Sequence, residues 1–564
     1  MNQLSGAEAF VRMLQLHGIH HIFGLCGDTS LPVYDALCRL DHGMTHILTR
    51  DERSAAYMAD VYARVSGGIG VCEGPSGGGA TYILPGVVEA NESSVPVLAV
   101  TTDISVTGRG HYTLTELDQE ALFRPLAKMS RVVDDARAIP HALRAAFAAM
   151  TTGRPGAAHI GLPFDVQKAP LDDTEVWADA SLAACPSRRT GPDPAAVAAA
   201  ADAILGAEKP MFVCGGGPVI SGAVAELVAL AELLEAPVAT SVSGRGSIPD
   251  DHPLAVGVVG SNGGTPETRA VVDAADLIVF VGCRAGSVTT ERWRHPAPDA
   301  ARIVHIDVDP AVIGTNYETE AAMVGDARLC LSALLEEMTR RLDGTPERPG
   351  VRDFIAQAKA RKFAAFEELA RSGDTPIKPE RVVAELQALL PADAVVVADP
   401  GTPCPYFSAY YRLAETGRHF VSNRAHGALG YSLPGVVGAH YGRPDTKCVA
   451  VMGDGSFGFA VGELETIVRL DLPVTLIVIS NSVYGWIKAG QKSGFDARYF
   501  SVDFSRGDHA RIAEAFGVKA WRVEDPEDLR PALAKALEAG GPTLVDIVAQ
   551  PLQEARAPVS EWVA

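Results

Sequence analysis

Two residues whose types and spacing could do chemistry are Asp454 and Asn481. Asp454 sits in VMGDGSFGFA (451–460), where an apolar run ending at Met452 gives way to Gly-Asp-Gly. Asn481 sits in VISNSVYGW (478–486), at the end of a second apolar run. They are 481 − 454 = 27 residues apart, enough for one strand–helix–strand crossover. In an open parallel sheet ligands bind beyond the carboxyl ends of the strands, so both residues can face one crevice. A hard cation takes oxygen ligands and shares them with phosphates. The Asp454 carboxylate, the Asn481 amide oxygen and the carbonyl of Val483 would suit Mg2+. Gly453 and Gly455 let the backbone approach a phosphate, and a helix beginning after Ser456 would aim N–H groups at it. Gly-Asp-Gly by itself reads as a surface turn; the asparagine one crossover later strengthens the metal reading.

A second group lies near the N-terminus. Glu52, in TRDERSAAYMADVYARVSG (49–67), stands where the apolar run HILTR passes into a helical pattern. Alone it is a helix-start carboxylate that complements the dipole. The stretch GPSGGG (74–79) lets the backbone pass close to a flat ring at Ser76 and Gly77, although glycine-rich turns are common. Asp28 after Gly27, and His111 in GHYTL, are polar groups on turns.

Elements must hold these residues in place. With 564 residues, the chain fits about three to four domains. Apolar runs of strand length alternate with helical stretches: HHIFGL, GIGVCEG, VPVLAVTTD and AAHIGLP; then PMFVCGGG, APVATSVSG, LIVFVGC and RIVHIDVD; then AVVVADPG, KCVAVMGDG, VTLIVISN and TLVDIVAQ. Short buried runs joined by helices predict parallel sheets covered on both faces. The expected fold is therefore α/β, three doubly wound parallel-sheet domains over 1–167, 190–345 and 375–564. The stretch 167–194 reads as an extended linker, and a charged helix is expected near 351–373.

Composition narrows the partners. The net charge of −20, without a Lys/Arg cluster, predicts no nucleic-acid partner. Runs such as VTLIVI are too short to span a bilayer, so no membrane association is expected. Nine scattered cysteines without C-x-x-C, and an N-terminus without a basic or long apolar region, fit a cytoplasmic protein.

Taken together, the Gly-Asp-Gly and asparagine motifs resemble the thiamine-diphosphate enzyme superfamily, in its acetolactate synthase, pyruvate oxidase and pyruvate decarboxylase branch. The family pattern is GDG, about two dozen residues, then a pair of asparagines; here the pair is Ser480–Asn481, with the metal-binding position kept. The resemblance implies thiamine diphosphate and Mg2+ as cofactors, with Asp454, Asn481 and the Val483 carbonyl as metal ligands. It makes Glu52 the acid that activates the cofactor's aminopyrimidine ring. It places Ser76 and Gly77 at the pyrimidine pocket and Leu429, in RAHGALGYSLPGVVGA (424–439), beneath the cofactor. Gly401 and Thr402 in DPGTP, together with His426, Gly453, Gly455, Ser456 and Tyr484, complete the cofactor-binding candidates. It also implies a homodimer or homotetramer with active sites at subunit interfaces.

On the reaction the motifs diverge. ELDQEALFRPLAKMS (116–130) and VHIDVDPAVIG (304–314) resemble acetolactate synthases, implying decarboxylation of a 2-oxo acid and ligation of the acyl unit to an acceptor carbonyl. That pocket departs at Leu114-Thr115-Glu116 and at Gly490, where those enzymes have Phe-Gln-Glu and a substrate-selecting Trp. Their flavin segment is replaced by Arg284-Ala285-Gly286-Ser287, which weighs against FAD and leaves another nucleotide, or none, as alternatives. Asp28 and His111 align with pocket residues of decarboxylases, where they would act as catalytic acids releasing an aldehyde. Ile487 replaces those enzymes' pocket Glu. A non-catalytic homologue is the third alternative, disfavoured by Glu52, Asp454 and Asn481.

Overall fold

The structure is a computed structural model that describes residues 3–346 and 348–562. The first sheet comprises β2 (His21–Gly24), β3 (Thr45–Leu48), β4 (Gly70–Gly74), β5 (Val97–Asp103), β6 (Met129–Val132) and β7 (Ala158–Pro163), all parallel, in the order β3-β2-β4-β5-β7-β6. Two short strands, β1 (Gln3–Ser5) and β8 (Pro170–Asp172), pair antiparallel beside it. A second parallel sheet contains β9 (Pro210–Cys214), β10 (Val238–Thr240), β11 (Ala255–Val258), β12 (Leu277–Val281), β13 (Arg302–Asp307) and β14 (Ala321–Val324). Its order is β11-β10-β9-β12-β13-β14. The third sheet holds β15 (Val395–Ala398), β16 (Phe420–Ser422), β17 (Cys448–Gly453), β18 (Thr475–Ser480), β19 (Lys519–Val523) and β20 (Thr543–Val548). It is parallel throughout, ordered β16-β15-β17-β18-β20-β19.

The expectation of three doubly wound α/β sheets is met. Each sheet reverses its strand order next to its first strand, at β2/β4, β9/β12 and β15/β17, and the first and third sheets reverse again at their last two strands. Such switch points open crevices at the carboxyl ends of the strands. The first and third sheets share one order, second-first-third-fourth-sixth-fifth. The central sheet has the order third-second-first-fourth-fifth-sixth, that of dinucleotide-binding folds.

The chain forms two compact units. One takes the residues up to Arg188 with Asn423–Asp445 and Ala460–Leu472; the other takes Arg189–Ser422, Thr446–Phe459 and the chain from Pro473 onward. In the first, Phe10, Leu14, Val71, Leu98, Leu143, Phe147 and Ile160 build the core under the sheet. The expected linker follows that core: Leu171 and Leu182 are buried in it, and Arg144 lies 3.9 Å over the Trp177 ring. In the second unit, the central sheet's core runs through Phe212, Leu230, Val279 and Leu331. The charged segment is a helix, Val351–Ala370, with Ile355, Ala358 and Phe366 on its buried side.

Inside the first unit the helix Ser432–Gly442 lies against the helix Glu52–Ser66. The approach is close enough that a Cβ on Gly438 would fall 2.1 Å from the Met58 carbonyl oxygen. Among the described residues no helix is long and apolar enough to cross a membrane.

Candidate active site

At the switch point of the first sheet three loops meet through hydroxyl groups. The Thr29 hydroxyl lies 2.8 Å from that of Thr102 and donates to Ser76 Oγ at 3.2 Å. Ser76 Oγ is 2.8 Å from Thr115 Oγ1. This network joins the loop of Asp28, the glycine-rich loop of Ser76 and Gly77, and the loop that carries His111. Asp28 is exposed and accepts the Thr29 N–H at 2.8 Å; His111 is also exposed. Thr29, Thr102 and Thr115 were not singled out from the sequence, because isolated threonines on turns carry no spacing signal.

Glu52 opens the helix Glu52–Ser66, which is capped by the Asp51 side chain and closed at Gly67 in the left-handed region. A carboxylate there for the dipole alone would stay solvated. Glu52 is instead only 8% exposed, and it forms no ion pair among the described residues. Burial raises its pKa, and the charges of Asp51 and Glu73 add to the shift. The glycine-rich loop covers it: a Cβ at Gly79 would fall 3.1 Å from Glu52 Oε1 and 2.4 Å from Pro75 Cδ, so only glycine fits.

Three buried acids set up this region, and each is an acidic residue inside an otherwise buried element, the one signal that could have found it. Glu463 accepts the Arg50 N–H at 2.9 Å, fixing the chain just before Glu52. Glu73 bonds the Tyr34 hydroxyl, which is 2.9 Å from His46 Nε2. Glu89 binds Arg64 at 3.1 Å and accepts the His426 N–H at 2.7 Å. Arg64 also grips Asp60 at 2.9 and 3.1 Å, and Asp60 accepts the Tyr431 hydroxyl. The loop bearing His426, exposed, and Leu429, half-buried, is thereby fastened to the helix Glu52–Ser66.

The other candidates gather at the switch point of the third sheet. β15 runs into Gly401 and Thr402, which precede the helix Pro403–Tyr410; β17 runs into Asp454. The expected helix after Ser456 begins instead at Asp454, because β17 continues through Gly453 and the carboxylate accepts the Gly455 N–H at 2.9 Å. Ser456 is buried within that helix. Asp454 Oδ2 accepts the main-chain N–H groups of Asn481 (2.9 Å) and Ser482 (2.6 Å), which brings the two residues side by side. Ser482 turns the chain through a left-handed conformation, φ 57°. Val483 then pairs with Asp503, and Tyr484 N–H donates to the Val502 carbonyl at 2.9 Å. The Tyr484 ring lies over Gly455, 2.9 Å from where a Cβ would be.

The donor set fits a divalent cation. Asp454 is 5% exposed, its carboxyl raised by burial and lowered by the three amides, and it has no ion-pair partner among the described residues. Asn481 Nδ2 is buried without a hydrogen-bond partner in the protein. A Cβ at Gly401 or Gly453 would meet no atom within 4 Å, so these glycines form a cradle for a group close to the backbone. No cluster of three or more His, Cys, Asp or Glu side chains able to hold a metal occurs among the described residues. A carboxylate–amide–carbonyl set is not such a cluster.

In the central crevice two glycine amides are bonded within the protein. Gly215 N–H donates to the Val281 carbonyl and Gly217 N–H to the Gly282 carbonyl, at 3.0 and 3.2 Å. The glycines let two loops touch, since a Cβ on Gly215 would fall 2.1 Å from Gly282 O. Their amides therefore point at protein carbonyls and not at a ligand.

Comparison with known proteins agrees with this layout. Residues 4–122 match the N-terminal TPP binding domain of thiamine pyrophosphate enzymes, 197–334 the central domain and 399–547 the C-terminal TPP binding domain. Similar over nearly their whole length are the probable acetolactate synthase large subunits of Methanocaldococcus jannaschii (34% identical, 98% of this chain and 93% of the relative) and Methanococcus aeolicus (33%, 97% and 92%). Acetolactate synthase isozyme 3 large subunit of Escherichia coli is 31% identical over 95% of this chain and 93% of its own. With all three domains matched and their cofactor-binding strand ends in place, this chain belongs to the thiamine pyrophosphate (thiamine diphosphate) enzyme family, among the relatives of acetolactate synthase.

Proposed function

We propose that the protein is a Mg2+-dependent carboligase of this family, which decarboxylates a 2-oxo acid and joins the remaining acyl unit to a second carbonyl. The observation that carries this reading is the pair of buried carboxylates, Glu52 and Asp454, one in each cofactor-binding domain and neither in an ion pair among the described residues. Thiamine diphosphate, when bound, supplies a carbon nucleophile and the electron sink for loss of CO2. Glu52, whose carboxyl holds its proton more tightly because it is buried, would exchange a proton with the aminopyrimidine ring. Asp454, Asn481 and the Val483 carbonyl would hold Mg2+, with Gly401, Thr402, Gly453 and Ser456 around the diphosphate. Ser76 and Gly77 would line the pyrimidine pocket, and Leu429, His426 and Tyr484 would border the reacting end. The bonded glycine amides of the central crevice support a domain without FAD.

A second reading, a decarboxylase that releases an aldehyde, draws on Asp28 and His111. Both are exposed on loops that the Thr29–Ser76–Thr115 hydroxyls tie together, where they could deliver a proton. Supplying pyruvate and larger 2-oxo acids with thiamine diphosphate and Mg2+, and identifying products by mass spectrometry, separates the two. Ligated hydroxy-ketone products support the carboligase; free aldehyde alone overturns it. Retention of thiamine diphosphate affinity by Asp454→Ala, measured calorimetrically, would overturn the metal site.

A further inference from the structure

The serine that replaces the family's first asparagine does not stand alone. Ser480 Oγ, at the end of β18, lies 2.9 Å from His509 Nδ1 and donates to Asp546 Oδ1. The same His509 nitrogen is 3.3 Å from Asp546 Oδ1. Asp546 Oδ2 accepts the His509 backbone N–H at 3.0 Å and Arg522 Nη1–H at 2.7 Å. The His509 ring meets Phe457, on the helix that starts at Asp454, edge to face at 5.3 Å. Ser480, His509 and Asp546 are all buried.

Serine, histidine and aspartate together invite a hydrolytic reading, which the geometry excludes. A nucleophilic serine needs one ring nitrogen while the carboxylate holds the other. Here both oxygens converge on Nδ1, the serine bonds the carboxylate directly, and the hydroxyl is buried. The pattern fits an Nδ1–H shared between two acceptors.

What the cluster adjoins is the metal loop. Residue 481 follows Ser480, and the 481 and 482 amides donate to Asp454. The Asn481 side chain has a buried, unbonded Nδ2, so the backbone around it must fix its direction. We propose that Ser480, His509 and Asp546 form a positioning cluster that holds the Asn481 peptide against Asp454, so that metal affinity depends on His509, which touches no ligand. The proposal rests on the metal-site reading above. Residues behind a metal's direct ligands typically change affinity about 10–100-fold when removed.

The test titrates Mg2+ into the full-length protein with thiamine diphosphate present, by calorimetry. His509→Ala should weaken Mg2+ binding by roughly 10–100-fold. His509→Asn, whose amide can still donate to Ser480 and Asp546, should recover most of it. The loss should appear in the Mg2+ concentration needed for half-maximal rate and vanish from kcat at saturating Mg2+. If His509→Ala fails to fold, Ser480→Ala, which removes one hydroxyl, carries the same expectation. Wild-type Mg2+ affinity in these variants, with Asp454→Ala losing it, overturns the cluster and leaves the metal site standing. Wild-type affinity in Asp454→Ala as well overturns the metal site and the cluster together.

Discussion

Glu52 is expensive to bury, and the direction of its pKa states the cost. The folded protein binds this proton more tightly than the unfolded chain does. Stability from it is therefore present below the unfolded Glu value and is lost as pH rises toward the folded one. Wherever the group is ionised, its buried charge opposes folding. Glu52→Gln should then raise the melting temperature of the cofactor-free protein at neutral pH and lower turnover by about 100-fold or more. Calorimetry and rate measurement on one preparation check both; a lowered melting temperature would show that the carboxylate is held by stabilising bonds. His159 has the opposite linkage. It is buried under Phe123, 2.7 Å from Thr101 Oγ1 and 3.0 Å from Ser130 Oγ, and burial lowers its pKa to about 3. Between that value and the usual imidazole range the unfolded chain binds a proton that the native state refuses. Stability should fall with decreasing pH there by about 1.4 kcal/mol per unit from this group. Urea denaturation across that range should show a shallower acid dependence in His159→Gln.

Between elements, the decisive contact is the crossing of helices Glu52–Ser66 and Ser432–Gly442. Gly438→Ala places a methyl against the Met58 carbonyl. Overpacking of this kind costs roughly 1–3 kcal/mol, so a lowered melting temperature is expected. An unchanged value would mean that the helices separate freely. The same scale shows what could be read from the chain. The central strands are buried on both faces and appear as unbroken apolar runs, as in LIVFV of β12 and TLIVIS of β18. The edges are different. β6 is MSRV, β19 is KAWRV, and β11, β14 and β16 have four residues or fewer; none was anticipated. An edge strand faces solvent along one side, so polar and short sequences serve it, and its place is set by its neighbour. Asp454 and Asn481 were legible for the converse reason, since each ends a central strand. Glu463, Glu73 and Asp546 were not, because their partners are remote in sequence.

For the whole molecule, large apolar side chains remain on the surface of loops near the candidate site. Tyr112 is 100% exposed, Leu114 85% and Phe500 82%. Such groups are unfavourable in water and are suited to burial by another copy of the chain. Sedimentation should give a dimer or tetramer at micromolar concentration, and Leu114→Glu should shift it toward the monomer. A monomer at all concentrations would contradict the assembly that the family resemblance implies. The purified protein should also lack the visible absorbance of flavin; a yellow protein would overturn the reading of the central crevice.

The first and third sheets thread their strands in one order, and the two helices that cross at Gly438 each follow the second strand of their sheet. Corresponding parts of two like domains therefore touch like parts. That is the contact expected about a twofold axis, had one ancestral gene been copied and its products been a symmetric pair before fusion. Descent would then have assigned different tasks to the two copies: a proton-handling carboxylate after the second strand of one, a metal-holding one after the third strand of the other.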